Sequence, residues 1–191
     1  MRKISSLQPI NHTINNFINM RQLILFGATI LSFIACNSPE TKSVADKSAE
    51  TLVIADRYRH AVETKDVALM DSLLAENYMG FGPSVADSVT KVQAIDNWKN
   101  AVSDLYESIE YTRSQTLPVT VADGPIAGDW VSNWALLTIK YKDGRGPVQV
   151  WVNAAYKIEN GKIARSRTFY NEADVLRQLG YSFVPPQAAS K

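Results

Sequence analysis

The residue types that do most protein chemistry are sparse in this chain. His12 and His60 are the only histidines and Cys36 the only cysteine among 191 residues. No GxSxG, glycine-rich phosphate loop or His/Cys/Asp cluster occurs. Neither a Ser-His-Asp triad nor a metal site is expected, and no cofactor. His60, beside Arg59, reads as a surface residue of a helix. One polar residue stands out by its spacing. In the alternating row Val131, Asn133, Ala135, Leu137 and Ile139, only Asn133 is not apolar. A buried amide left unpaired costs roughly 1–3 kcal/mol, so Asn133 must meet either a partner within the fold or a ligand.

The element that positions Asn133 is the stretch from Asp129 to Asn171. It contains three β-type runs that alternate in period two and are rich in β-branched and aromatic residues. Gly144 and Gly146 mark the first turn and Asn160-Gly161 the second, Asn-Gly being a strong hairpin signal. These runs predict a three-stranded antiparallel meander. On its middle strand Val148, Val150, Val152, Ala154, Tyr156 and Ile158 form an apolar row expected to point inward. The opposite face carries Trp130, Trp134, Trp151 and Asn153. Exposed together, these indoles would form an apolar patch of the kind that marks an interface. With the two faces reversed they would instead line a pocket suited to a flat or sugar-like ligand.

Upstream, Leu52, Ala55, Tyr58 (or Arg59) and Val62 recur at helical spacing, which predicts a helix over residues 50–64. Asp66 is placed to cap a second helix with the stripe Val67, Met70, Leu73 and Leu74. Asn77 to Pro83 reads as a short strand and loop. Thr90 followed by Gln93 has the capping-box pattern, opening a third helix with Val92, Ile95, Trp98, Val102 and Leu105 on its buried face. Ser108 to Thr120, with Pro118, suits an edge strand. After the meander, Asn171 opens a short helix, with Asp174 three residues on, Val175, Leu176 and Leu179 inward, and Gly180 at the position that ends helices. Helices gathered on one face of a curved antiparallel sheet make an α+β domain, here spanning 50–182, with 183–191 as a loose tail.

The N-terminus reads as a targeting segment. Residues 23–35, LILFGATILSFIA, follow Arg21 and are too short to span a bilayer comfortably, but fit a secretory signal. They end in Phe33-Ile34-Ala35-Cys36, which resembles the lipobox of bacterial lipoproteins, with Phe33 where Leu is usual. That resemblance implies cleavage before Cys36 and lipid on its sulfur. Residues 1–36 are thus a leader, its true start expected at Met20. Residues 37–49, rich in Ser, Thr, Lys and Glu, are expected to be a flexible tether. Residues 1–36 hold Arg2, Lys3 and Arg21 and no acidic residue, so the remaining chain has 17 basic against 19 acidic residues. Such a balance gives no basic stripe for nucleic acid.

Several short motifs, in order, resemble the nuclear-transport-factor-2-like superfamily and within it the SnoaL-like group. They are Tyr58 with Ala61; Asp66, Leu69 and Leu73-Leu74-Ala75-Glu76; Gly128-Asp129-Trp130-Val131; Tyr156 to Ile163; and Arg167-Thr168-Phe169-Tyr170-Asn171 with Leu176 to Gly180. The resemblance spans about residues 50–182 and implies a cone: a curved antiparallel sheet wrapped on three helices, with a short C-terminal helix and a pocket inside. By likeness to the ketosteroid-isomerase branch, Ser166, Thr168 and Tyr170 would face that pocket, with Tyr78 and Phe81 near its mouth. Asn133, Ala154 and Tyr156 would line it from the inward rows. The branch's base position falls near Phe81 and its neutral-acid position near Ala154, neither able to transfer a proton. Asn171 stands where the SnoaL-like ending often has Asp, and is explained as a helix cap. Asp129 or Glu76 could still approach the mouth.

Relatives of this fold often pair sheet to sheet, implying a homodimer through the tryptophan face. The function expected is a lipid-anchored protein of the bacterial cell envelope, facing the periplasm or carried on the outer membrane. It would bind a small apolar or amphipathic molecule, or a partner protein, without catalysis. The alternative is a SnoaL-like isomerase, cyclase or dehydratase using a pocket acid not recognised in the sequence.

Overall fold

Period-two alternation builds the frame of this protein, and the helices fill one side of it. A computed structural model describes residues 39–184, and the architecture below is that of the unit beginning at Ser43. The described residues begin with helix α1 (Pro39–Thr64) and helix α2 (Val67–Leu73). Strands β1 (Leu74–Phe81) and β2 (Ser88–Thr90) follow, then helix α3 (Lys91–Asn100) and a π-helical turn (Ala101–Leu105). Strands β3 (Tyr106–Val121), β4 (Gly128–Tyr141), β5 (Val148–Glu159) and β6 (Lys162–Tyr170) come next, and helix α4 (Glu172–Gln178) closes the fold.

The six strands form one curved sheet in the order β2-β1-β6-β5-β4-β3. The expected meander is present as β4–β5–β6, and β3 is an edge strand paired only with β4. Two features go beyond the expectation. The short strand β2 pairs with β1, and β1 runs parallel to β6, so one pair of the sheet is not antiparallel.

Local signals set the helix ends. The Asp66 carboxylate accepts from the Leu69 amide at 2.9 Å, Thr90 and Gln93 form both halves of a capping box, and Asn171 accepts from the Asp174 amide. The inward row of β5, from Val148 to Ile158, is buried throughout. Its Ala154, Tyr156 and Ile158 pack with Ala55, Tyr58, Ala61 and Val62 of α1 and with Met70, Leu74 and Ile95 in the main core, while Val148 and Val150 join Ile139 and Tyr141 in a second cluster against Val175 and Leu179. Glu63 ties α1 to β3 by accepting from the Tyr111 amide at 3.0 Å.

Several expectations need correction. Helix α1 starts at Pro39, so residues 39–49 are helical rather than a tether; Pro at a first helical position and Glu after it favour a helix start, and extending a formed helix is far easier than nucleating one. Leu74 belongs to β1, not to the stripe of α2. Val92 and Leu105 are exposed; α3 ends at Asn100, and the π-helical turn shifts the angular spacing, so the stripe does not continue to Leu105. Cys36, the leader with Met20, and residues 185–191 of the tail lie outside the described residues.

Candidate functional site

The concave side of the sheet and helices α1, α3 and α4 enclose a cavity of about 680 Å³. Seven of the chain's eight tyrosines line it: Tyr58, Tyr78, Tyr106, Tyr111, Tyr141, Tyr156 and Tyr170. They come from α1, β1, β3, β4, β5 and β6, so no single motif announces them. Val62, Ile109, Leu137, Ile139, Val150 and Val152 supply aliphatic surface, and Trp98 lies alongside. The charged residues of the lining are Asp87 and Glu172, both exposed at the rim.

One hydrogen bond and one aromatic contact organise the interior. The hydroxyls of Tyr78 and Ser166 lie 2.6 Å apart in a buried hydrogen bond that joins β1 to β6. Gly80 makes room for it: a Cβ there would sit 2.5 Å from the Tyr78 hydroxyl oxygen. This is close approach of backbone to side chain, the usual meaning of glycine inside a strand. Tyr156 is 7% exposed and packs edge-on to Tyr58, ring centroids 5.6 Å apart. No enclosed side-chain polar atom among the described residues lacks a partner. The Tyr156 hydroxyl has no hydrogen bond to any described residue, and it opens on the cavity.

Burial pushes the phenols of Tyr106 and Tyr111 up to about 12 and lifts Tyr58, Tyr78 and Tyr156 above the ordinary value as well. Tyr170 is raised by burial first, then by the carboxylates of Glu172 and Asp87. At neutral pH all these hydroxyls are therefore protonated. They can donate and accept hydrogen bonds but carry no charge.

Of the residues expected at a pocket, Tyr78, Phe81, Ala154, Tyr156, Ser166, Thr168 and Tyr170 border this cavity. Phe81 does so from the outer row: it pairs in register with Arg167, whose guanidinium stands 5.1 Å from its ring centre. Asn133 does not line the cavity. Its amide donates to the Ser114 and Thr116 hydroxyls at 2.7 and 2.8 Å. A bulge in β3 between Thr112 and Gln115, with Arg113 at φ +50°, brings Ser114 into reach. Asp129 and Glu76 also lie away from the cavity, bonded to Thr120 and Lys91. The rim acids Asp87 and Glu172 were not singled out from sequence, because each looks like an ordinary loop or helix-start carboxylate.

The tryptophan face divides. Trp134 and Trp151 are 45% and 57% exposed, and with Asn153 they border a shallow depression on the outer side of the sheet. Trp130 is only 8% exposed, its indole N–H donating to the Ile126 carbonyl at 2.8 Å. The β3–β4 turn thus removes it from the patch, and Phe169, 48% exposed, takes a place there. The reversed-face alternative fails: Trp98 is the one tryptophan lining the cavity.

No family model matches the sequence, and no curated protein matches it. Solved structures match in shape. A ketosteroid-isomerase-like protein from Catenulispora acidiphila, solved with trimethylamine, superposes with a TM-score of 0.54 at 16% identity, covering 69% of this chain and 97% of that one. The chain has the nuclear-transport-factor-2-like fold. A protein described by that fold from Burkholderia xenovorans matches with a TM-score of 0.51 at 16% identity, over 69% of this chain and 97% of its own. An LEH-like epoxide hydrolase from M. tuberculosis matches at 0.53 with 14% identity, over 70% and 91%. At such identities this nuclear-transport-factor-2-like chain shares architecture with them, and architecture alone assigns no chemistry.

Proposed function

We propose that this chain is a SnoaL-like ligand-binding module, holding a small apolar or amphipathic molecule in the tyrosine-lined cavity without transforming it. The observation that carries this reading is the lining itself. About 680 Å³ is enclosed by rings and aliphatic side chains, within the size range of small-molecule sites. Its interior hydroxyls are neutral phenols, and its acids sit at the exposed rim. A general base needs a pKa near the working pH and a place beside the substrate, which those phenols do not offer. Native mass spectrometry of the purified chain tests the reading: a retained small molecule, lost on cavity-filling substitution at Ala154, is the expected result.

The module is further proposed to be tethered to a membrane of the bacterial envelope through lipid on Cys36, and to pair as a homodimer. The motif ending in Cys36 supports the first, and metabolic labelling with a fatty acid, lost in Cys36→Ser, tests it. The exposed Trp134, Trp151 and Phe169 support the second, and the mass in solution with and without Trp151→Glu tests that.

A second reading, an isomerase, cyclase or dehydratase, is favoured by one feature. The unpartnered Tyr156 hydroxyl could donate to a developing oxyanion. Turnover of any carbonyl substrate, abolished by Tyr156→Phe, would replace the first reading with this one.

A further inference from the structure

Of the three helices that enclose the cavity, α1 and α3 are anchored by buried side chains, among them Ala61 and Ile95, whereas no residue of α4 is buried. Its half-buried Val175, Leu176 and Leu179 form one wall of the cavity. Val175 and Leu179 rest on the cluster of Ile139, Tyr141, Val148 and Val150, and α4 adds nothing to the main core. One side chain fastens the helix to the sheet. Strand β6 pairs with β5 only as far as Val152, opposite Tyr170, so the Gln149 backbone has no strand beside it on that side. The Gln178 carboxamide takes that place: its oxygen accepts from the Gln149 amide at 2.9 Å, and its nitrogen donates to the Gln149 carbonyl at 2.8 Å. The same nitrogen also donates to the Asp174 carboxylate one turn back, at 3.0 Å, which orients the carboxamide. Gln149 and Gln178 are both exposed, so water competes for each of these bonds and the clasp opens at low cost. At its other end α4 begins directly after β6, at the Asn171 cap.

We infer that α4 is a gate of the cavity, hinged at Asn171 and latched by Gln178 on Gln149, and that ligand enters and leaves through its opening. The inference rests on the ligand-binding reading above and adds to it the route of exchange and the residue that controls it. Opening leaves the six-stranded ladder and the main core intact, because α4 belongs to neither.

Two measurements on the full chain test the gate. In hydrogen exchange followed by NMR, the amides of Gln149, Val175 and Leu179 are expected to exchange together, about a hundredfold faster than that of Val152 in the same sheet. Gln178→Ala should speed those three by about a further tenfold, the worth of one or two exposed hydrogen bonds, with Val152 unchanged. Arg177→Ala, which removes a side chain stacked on Phe183 and not the latch, should alter none of them. In stopped flow, the uncharged fluorophore N-phenyl-1-naphthylamine is mixed with each variant. Losing the latch destabilises the closed gate equally with and without ligand, so association and dissociation should both quicken about tenfold in Gln178→Ala, with Kd unchanged. Exchange in α4 as slow as at Val152, or probe rates unchanged in Gln178→Ala, overturns the gate and leaves the cavity reading standing. A weaker Kd with association unchanged also overturns it, since that is the mark of a damaged wall. If the fluorophore does not bind the native chain, the cavity reading falls and the gate with it.

Discussion

Gly80 and Asn133 are small polar details on which the interior depends. At Gly80 an added methyl would lie 2.5 Å from the Tyr78 hydroxyl and 3.0 Å from Val89. Tyr78 must then swing into the cavity and release Ser166, leaving a buried hydroxyl unpaired. Gly80→Ala is expected to destabilise the domain by about 1–3 kcal/mol, read as a lowered denaturant midpoint with unchanged slope. Asn133 makes its contacts within the sheet, so its role is in folding. Asn133→Ala removes its bonds to the exposed Ser114 and half-buried Thr116 hydroxyls and should cost about 0.5–1.5 kcal/mol. Affinity for any cavity ligand should stay where it was, which a binding titration on the folded variant checks.

At the scale of elements, capping and turn chemistry fix where helices hand over to strands. The Thr90 capping box opens α3 directly after β2, the strand that pairs with β1. Thr90→Ala removes one half of the box and should cost about 0.5–2 kcal/mol, measured by thermal unfolding, with most of the loss recovered by Thr90→Ser. These boundaries were legible beforehand because each depends on residues within one turn of chain. The course of β3 was not. Its weak alternation hides a bulge, and the bulge turns Ser114 onto Asn133. Period-two reasoning assumes an unbroken ladder.

The whole molecule gathers its phenols into one cavity, which makes its stability sensitive to alkali. An unfolded tyrosine loses its proton near pH 10, whereas Tyr106 and Tyr111 hold theirs to about 12 and Tyr58, Tyr78 and Tyr156 are also raised. Above pH 10 the unfolded chain therefore binds fewer protons than the folded one, and stability falls as pH rises. Full stability should hold below about pH 10 and decline progressively toward pH 12. Absorbance at 295 nm followed alongside circular dichroism checks this: most phenol ionisation should coincide with unfolding rather than precede it. Tyrosines titrating freely in a folded domain would contradict the burial.

From its sequence the chain determined the meander, the helix caps, the α+β class and the inward row of β5. Each is governed by neighbours a few positions apart, where periodicity, turn residues and capping act. Tertiary structure alone decided three other matters. It brought seven tyrosines from six elements to one cavity. It set Asp87 and Glu172, which lie 85 positions apart, at the same rim. It also buried Trp130 under a turn while leaving Trp134 and Trp151 in solvent. The physical reason is common to all three: which side chains share a space depends on how the sheet curves and which strand lies beside which. The parallel pairing of β1 with β6, set by packing across the whole domain, is not encoded in any one stretch.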